Sequence, residues 1–272
     1  MKISVIFTTY NSTAWLEKVL WGFCFQSDKD FELVVADDGS GEETRQLIEQ
    51  FCIDTGMIIR HVWHEDEGFR KCRILNKAIL EASGDYLILT DGDCIPRHDF
   101  VAVHRAQAEP GRFLSGGYFK LPMATSKALT KDDIQAGHCF NTAWLVKNGV
   151  KASHKFMKFT RYKWLAYFYN LLTPTKRTWN GHNASCWKSD ALAVNGFDER
   201  MRYGGLDVEF GFRLVNAGIR AKQIRYLAIC VHLDHARGYR NEEDLARNME
   251  IRRKSKAGGV KETPAGITQS LS

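Results

Sequence analysis

The first 93 residues alternate between segments typical of β-strands and segments typical of helices. Each β-branched or aromatic run ends in polar residues and is followed by apolar residues at helical spacing. The predicted strands are 3–8, 31–36, 57–62 and 86–90, and the predicted helices are 12–25, 42–51 and 69–82. This alternation predicts βαβ units, and hence an α/β fold with a mostly parallel, Rossmann-like sheet and helices on both faces.

Polar clusters follow three of the predicted strands, at residues 9–11, 37–40 and 91–93. The carboxyl ends of parallel strands meet at one edge of a sheet, and ligands of open α/β sheets bind beyond that edge. The sequence therefore predicts that the three clusters lie together and form a ligand site.

The cluster Asp91-Gly92-Asp93 places two carboxylates one residue apart at the end of a buried strand. Hard divalent cations such as Mn²⁺ and Mg²⁺ prefer oxygen ligands and often share them with substrate phosphates. A plain turn is the alternative, because Asp and Gly are common turn residues. The position of the cluster after a strand favours a metal site.

The cluster that begins with Asp37 and Asp38 has two interpretations. An acidic residue at the end of a second strand can hydrogen-bond a nucleoside ribose or base. It can also cap the helix that follows, and one residue pair can serve both purposes. Neither G-x-G-x-x-G nor G-x-x-x-x-G-K-[ST] occurs, which argues against dinucleotide enzymes and phosphate-loop NTPases.

Composition limits the class of protein further. The 272 residues are 44% hydrophobic and 26% charged, which is typical of a globular protein with a sizeable core. The apolar run near the N-terminus is too short for a signal peptide, and no segment approaches the ~18 apolar residues of a membrane span. The seven cysteines are dispersed without a C-x-x-C pair, which favours buried reduced thiols over disulfides or a zinc site. We therefore expect a cytoplasmic protein.

The net charge of +6 has a local origin. Residues 134–189 contain no Asp or Glu, nine Lys or Arg and eleven of the 32 aromatic residues, so the rest of the chain sums to 6 − 9 = −3. The aromatic residues are densest in 154–170. Either this segment is a helical cover over the core, or it is an interfacial patch for an anionic membrane surface. Farther on, a helix is predicted near 206–217, a strand near 224–231 and a mobile tail from about Arg252.

The first half resembles glycosyltransferase family 2, the inverting nucleotide-sugar transferases with a GT-A fold. SVIFTTYN, ADDGS and TDGDC carry the resemblance, together with a segment similar to G-F-R…R-N-x-G-I in which Leu75 replaces an Arg. Arg73 is a candidate to substitute for that Arg. The resemblance implies a set of nucleotide-sugar-binding residues: Thr9, Tyr10, Asn11, Asp37, Asp38, Arg70, Asn76, Asp91, Gly92 and Asp93.

The second half is similar to the C-terminal part of galactosyltransferases and of chondroitin-polymerase-type enzymes. WNGHNASCWKSD, GFDE and YGGLDVEFGFRL match that part, with Leu206 in place of a Glu that contacts acceptors in the family. Asp207 aligns with the catalytic base and Glu209 with a second acidic position. The resemblance implies four acceptor- or sugar-binding residues, Trp179, Gly181, Asn183 and Gly205. In HLDHARGYRN it implies His235 as a metal ligand beside Asp93 and Asp91, with His232 as the second candidate.

We therefore expect a single GT-A-type catalytic domain: a nucleotide-sugar half (1–99), an acceptor half (100–251) with a basic aromatic helical insertion (134–189), and a flexible tail (252–272). The expected activity is Mn²⁺- or Mg²⁺-dependent, inverting transfer of a hexose or N-acetylhexosamine from a UDP-sugar, with galactose or N-acetylgalactosamine favoured. The expected acceptor is a hydroxyl of a glycan or lipid-linked saccharide in bacterial surface polysaccharide synthesis. A sugar nucleotidyltransferase is the alternative, although the Gly-rich opening loop of those enzymes is missing. A nucleic-acid-binding protein is a further alternative, but it leaves the acidic motifs unexplained, so no nucleic acid is expected.

Overall fold

The computed structural model describes residues 1–236 and 241–270. It contains two sheets, whose strands are β1 (Ile3–Thr9), β2 (Phe31–Asp37), β3 (Ile59–Trp63), β4 (Tyr86–Asp91), β5 (Cys94–Pro96), β6 (Arg112–Ser115), β7 (Gly117–Lys120), β8 (Ala184–Trp187), β9 (Arg220–Gln223) and β10 (Ile229–His232). The first four agree with the predicted strands to within about three residues at each end, the scatter usual for element boundaries.

The helices are α1 (Thr13–Cys24), α2 (Glu42–Thr55), α3 (Lys71–Glu81), α4 (Phe100–Gln107), α5 (Met123–Ala128), α6 (Lys131–Gln135), α7 (Thr142–Lys147), α8 (Lys163–Leu172), α9 (Lys188–Ala193), α10 (Leu206–Asn216), α11 (Glu242–Ala257) and α12 (Ile267–Ser270). Two short 3₁₀ helices, His138–Phe140 and His154–Phe159, lie between them. In the described part of the chain, no helix is long and apolar enough to cross a bilayer.

The larger sheet has the strand order β3-β2-β1-β4-β8-β6-β9. The four strands of the first half are parallel to one another, whereas β8 is antiparallel to both β4 and β6. The predicted α/β fold with a mostly parallel sheet is thus confirmed. In the β1 register Thr9 pairs with Asp37 and Thr8 with Asp91, so the polar residues that end these strands do meet at one edge.

Helices cover both faces of this sheet because its strands are apolar on both sides. Val5 and Phe7 of β1 belong to a core cluster with α1 and α2, while Ile6 belongs to a second cluster with α3 and α10. Successive residues of a strand point to opposite faces, so one strand can contribute to two cores. All seven cysteines are free thiols, and all but Cys24 and Cys52 are buried.

The smaller sheet has the strand order β5-β10-β7, and its residues Tyr118, Lys120 and His232 line the same cavity as the residues that end β1 and β4. Its central strand β10 runs antiparallel to β5, with His232 opposite Cys94. This pairing brings the histidines that follow β10 next to the Asp91-Gly92-Asp93 turn, from which they are about 140 residues distant in the chain. The predicted strand 224–231 is in fact confined to its last part, since Leu227 and Ala228 hydrogen-bond back to Ile224 in a turn.

Two predictions about the second half need correction. Residues 134–189 are more than an insertion, because they include β8, which lies inside the main sheet. The segment after Arg252 is also no simple tail: α11 continues to Ala257, and Ala265 and Ile267 are buried. Asn195 holds this segment by donating from its side chain to the Thr263 carbonyl and by accepting from the Thr268 amide. Its Lys- and Gly-rich composition did not reveal these contacts.

Candidate active site

A cavity of about 720 Å³ lies at the carboxyl edge of the main sheet, below the smaller sheet. It is lined by most of the residues that sequence reasoning had nominated: Thr9, Tyr10, Asn11, Asp38, Asp91, Gly92, Asp93, Gly205, Asp207, His232 and His235. The two halves of the chain contribute to it together, which makes this cavity the candidate active site.

Asp93 faces the two histidines that follow β10. Its Oδ2 atom is 3.0 Å from His235 Nε2 and 3.5 Å from His232 Nε2. Gly92 makes the turn possible, since its amide donates to the Thr8 carbonyl and an added Cβ would lie only 2.5 Å from that oxygen. A carboxylate with two imidazoles is a donor set that suits Mn²⁺, so these residues fit the metal that the family implies.

Cys94 also lies within this group, with its Sγ within 4.8 Å of the ligand atoms of Asp93 and His232. Burial raises the pKa of the Cys94 thiol well above its ordinary value. Soft thiolate ligands select Cu(I) and zinc rather than Mn²⁺ or Mg²⁺. Asp93, His232 and His235 are therefore the better set.

Asp91 is held by Lys71, a residue that the sequence analysis had not selected. Lys71 Nζ donates to Asp91 Oδ1 at 2.5 Å, and both side chains are about one-fifth exposed. Burial by itself lowers the pKa of Lys71, but the carboxylates of Asp91 and Asp207 outweigh it and raise that pKa. Burial likewise favours a raised pKa for Asp91, yet Lys71 brings it down to about 2. The site therefore has a fixed ammonium beside its acidic motif.

Asp207 stands in the first turn of α10 and lines the same cavity. Gly181 lies against it, because a Cβ on Gly181 would be 2.5 Å from Asp207 Oδ1. Burial raises the pKa of Asp207 to about 6; Lys71 opposes this rise and Asp91 adds to it. A carboxylate with a pKa near 6 is a stronger proton acceptor than an ordinary Asp and is still ionised at neutral pH. Leu206, in place of the family Glu, is buried beside it.

The cavity is also lined by Tyr10, Asn11 and Asp38. Asp38 accepts from the Arg70 backbone amide at 2.9 Å and contacts His64 Nε2 at 2.8 Å. Tyr10 is half exposed and its hydroxyl donates to Asp66 at 2.8 Å. An exposed aromatic ring beside fixed hydrogen-bonding groups suits the stacking and recognition of a nucleobase.

Three predicted nucleotide-sugar-binding residues do not line the cavity. Asp37 is fully buried and accepts from the Ser40 amide, so it shapes the loop before α2. Asn76 is fully buried on α3 and bonds both backbone groups of Phe197. Arg70 contributes its backbone to Asp38, while its side chain lies 3.7 Å from Glu67. The prediction for Asn76 is corrected to a structural link between α3 and the second half.

Three predicted residues of the second half, Trp179, Asn183 and Glu209, are also buried and have structural contacts. Trp179 is fully buried against Phe113 and Phe210. Asn183 is buried, donates to the Gly117 carbonyl at 2.8 Å and lies 3.0 Å from His104.

Glu209 makes a buried ion pair with Arg213, whose Nε and Nη2 atoms donate to the Glu209 carboxylate at 2.8 and 2.9 Å. The same carboxylate also accepts from Ser255 Oγ. A carboxylate that is enclosed and paired in this way cannot reach an acceptor hydroxyl. Glu209 is thereby removed as an alternative base.

Besides Lys71, sequence reasoning missed Tyr118, Lys120, His182 and Tyr203, all of which line the cavity. Tyr118 packs edge-on to His182 at 4.2 Å between ring centroids. Burial lowers the pKa of His182 to about 4, so that its ring is neutral at neutral pH. His182 is adjacent to Gly181 in the matched WNGHN segment, and this position is a signal for it; the aromatic residues carry no such signal.

The chain is similar to several known glycosyltransferases. Residues 4–125 match the family model described as Glycosyl transferase family 2. The chain is 27% identical over 276 residues to the uncharacterized glycosyltransferase YfnE of Bacillus subtilis, covering 92% of this chain and 69% of that protein. It is 25% identical over 266 residues to the chondroitin synthase of Escherichia coli, covering 92% of this chain and 37% of the synthase. The chain thus spans little more than a third of the latter.

Two solved structures show the same fold. The mannosyltransferase PcManGT from Pyrobaculum calidifontis, in complex with GDP-Man and Mn²⁺, aligns with a TM-score of 0.60 at 20% identity, over 97% of this chain and 65% of that one. Staphylococcus aureus TarS 1–349, in complex with UDP-GlcNAc, aligns with a TM-score of 0.60 at 15% identity, over 95% and 69%. The fold and the cavity thus define a GT-A glycosyltransferase. Residues 4–125 resemble glycosyltransferase family 2, and the comparisons favour a glycosyltransferase over the two alternative classes.

Proposed function

We propose that the protein transfers a hexose or N-acetylhexosamine from a UDP-sugar to an acceptor hydroxyl, with a divalent metal and with inversion at the anomeric carbon. One observation carries this proposal: the candidate base Asp207 lines the same cavity as Asp91, Asp93, His232 and His235. Metal ligands and a proton acceptor in one cavity are what a direct displacement from a nucleotide sugar requires.

Asp93, His232 and His235 would hold the metal, Mn²⁺ or Mg²⁺, with Asp91 beside them. When bound, such an ion acts as a Lewis acid that neutralises charge on the diphosphate leaving group. The imidazoles favour Mn²⁺ over Mg²⁺. The complex of PcManGT with GDP-Man and Mn²⁺ supports this assignment by analogy of fold.

Asp207 would take the proton of the acceptor hydroxyl at one of its carboxylate oxygens. The hydroxyl oxygen then forms the new bond to the anomeric carbon as the bond to the diphosphate oxygen breaks, and the nucleoside diphosphate leaves with that electron pair. Attack from the face opposite the leaving group inverts the configuration. Lys71 keeps Asp91 ionised during this step, and Gly181 leaves the space in which Asp207 sits.

The donor and acceptor are proposed by class. TarS was solved in complex with UDP-GlcNAc, and the chondroitin synthases are named for glycan synthesis, which supports a UDP-sugar donor and a saccharide acceptor, free or lipid-linked. A role in bacterial surface polysaccharide synthesis fits such an acceptor. The galactose or N-acetylgalactosamine preference is part of the proposal, and a melting-temperature panel of UDP- and GDP-sugars with Mn²⁺ tests it. A rise in Tm with GDP-mannose alone would contradict the UDP assignment.

Asp207→Asn is the direct test of the chemistry. A positioned base contributes roughly 10²–10⁴-fold, so the variant should lose at least that much transfer activity while its Kd for UDP changes little. Asp54→Asn is the control, because Asp54 is an exposed carboxylate near the end of α2 that does not line the cavity. Equal losses of transfer and UDP binding in Asp207→Asn would identify a structural role and overturn the assignment.

A further inference from the structure

Helix α8 has a buried face and an exposed apolar face. Ala166 and Asn170 point inward and are buried. On the other side lie Trp164, Phe168 and Leu171, which are 70%, 50% and 76% exposed and follow the i, i+4, i+7 spacing of one helix face. Tyr162, Tyr167 and Leu172 extend this surface, and all are at least half exposed. We call these six residues the α8 face.

The packing of α8 differs from that of the segment before it, and this bears on the two interpretations of the basic aromatic segment. Phe156 and Phe159, in the 3₁₀ helix before α8, pack on Phe119 and belong to the core. The α8 face, in contrast, presents six neighbouring large side chains to solvent. Contiguous apolar surface of this kind is uncommon on a protein that contacts only water and marks an interaction site.

The charge next to the α8 face is positive, since Arg161 and Lys163 at the start of α8 are both exposed. Seven exposed cations belong to the acid-free segment: Lys147, Lys151, Lys155, Arg161, Lys163, Lys176 and Arg177. Across residues 1–236 and 241–270, the ion pairs include none of the seven. The unpaired cations Arg161 and Lys163, beside exposed Trp, Tyr and Leu side chains, are complementary to an anionic lipid headgroup layer, where aromatic rings lie at the interface and cations meet phosphate.

We propose that the α8 face docks this enzyme on the surface of an anionic bilayer. Arg161 and Lys163 stand at the start of α8 and meet the headgroups while Trp164, Phe168 and Leu171 enter the boundary with the acyl chains. The segment that leads into α8 contacts the candidate active site, because Lys158 donates to the backbone carbonyl of Tyr118 at 2.7 Å and Tyr118 lines the cavity. Docking goes beyond the proposed transfer reaction and does not depend on it.

Co-sedimentation of the full chain with vesicles tests this proposal. Vesicles of phosphatidylcholine and phosphatidylglycerol at low salt should bind the protein, and vesicles of phosphatidylcholine alone should bind it at least about tenfold more weakly. Trp164→Ala/Phe168→Ala/Leu171→Ala should weaken binding to the anionic vesicles at least about tenfold. Ile53→Ala/Ile58→Ala is the matched control, since these two side chains are 77% and 85% exposed outside the α8 face, and it should bind as the wild type does.

The charge variant Arg161→Glu/Lys163→Glu gives a second measurement that does not depend on the aromatic residues. It should also weaken binding at least about tenfold. An unchanged Tm for each variant shows that the fold is intact, as expected for residues that are already exposed. No binding at low salt, equal binding of the wild type and the triple variant, or a salt-sensitive complex with poly(U) RNA in place of vesicles would each overturn the proposal. Self-association abolished by the triple variant would also overturn it, because a second copy would then cover the face.

Discussion

Lys71 Nζ lies 2.5 Å from Asp91 Oδ1, within the candidate active site. The pair joins the first residue of α3 to the last residue of β4. Burial by itself raises the pKa of Asp91, but Lys71 brings it down to about 2, so that Asp91 is ionised throughout the physiological range. The candidate active site thus has a protein cation fixed beside its acidic motif.

Lys71→Met should destabilise the fold by about 2–4 kcal/mol, because it leaves the Asp91 carboxylate largely buried without its partner. The value is measured by urea unfolding of the metal-free protein. Lys71→Met/Asp91→Asn should recover part of the loss, since no uncompensated charge remains. Arg45→Met, which breaks an exposed pair with Glu42, should leave the unfolding midpoint nearly unchanged. A Lys71→Met midpoint equal to that of the wild type would show that the pair contributes nothing.

The pH profile should report Asp207. Since burial raises its pKa to about 6, kcat/KM should be constant above that pH and fall about tenfold per pH unit below it, as the base becomes protonated. In Lys71→Met this acid limb should move to higher pH, because Lys71 lowers the pKa of Asp207 in the wild type.

Mn²⁺ affinity measured over the same pH range separates this effect from protonation of the histidines. A fall in kcat/KM that coincides with the loss of Mn²⁺ would contradict the assignment to Asp207. So would a kcat/KM that stays constant down to about pH 5.

Gly181→Ala should disturb Asp207 without unfolding the protein. The added Cβ would lie 2.5 Å from Oδ1 and 2.9 Å from Cγ of Asp207, so the carboxylate must shift. We expect kcat to fall at least about tenfold, since displacement of a catalytic group by about 1 Å is enough for a large loss. Gly41→Ala is the control, because its Cβ would meet Asn11 Oδ1 at an ordinary 3.9 Å. Wild-type kcat in Gly181→Ala would argue against Asp207 as the base.

His235→Ala should weaken Mn²⁺ binding at least about tenfold, because it removes one of the two imidazoles that face Asp93. Electron paramagnetic resonance of the free ion measures this affinity without a sugar donor. His138→Ala is the control, since His138 pairs with Asp133 and does not line the cavity. Removal of the metal with EDTA should abolish transfer, and added Mn²⁺ should restore it. Wild-type Mn²⁺ affinity in His235→Ala would exclude this residue as a ligand.

The first half of the fold and one edge of the site were readable from the sequence. Strand alternation, helical spacing and the polar residues that end β1, β2 and β4 are local properties, and parallel pairing then brings those ends together. The family resemblance added Asp207 and His235, which no local pattern distinguishes from ordinary helix and loop residues.

Tertiary structure decided which of several equivalent residues serve the site. Asp207 and Glu209 share one helical turn, yet Arg213 and Ser255 enclose Glu209 while Asp207 faces the cavity. Arg70, Lys71 and Arg73 lie within four residues of one another. The packing of α3 directs Lys71 to Asp91 and leaves Arg70 and Arg73 near Glu67.

The same distinction holds for α8. Its sequence determined that aromatic and basic residues are concentrated there, but several arrangements of buried and exposed faces agree with that pattern. Only the fold shows that Ala166 and Asn170 face inward and that Trp164, Phe168 and Leu171 remain uncovered. The physical reason is that a residue's exposure depends on segments far away in the chain, whereas its helix or strand preference depends mainly on its near neighbours.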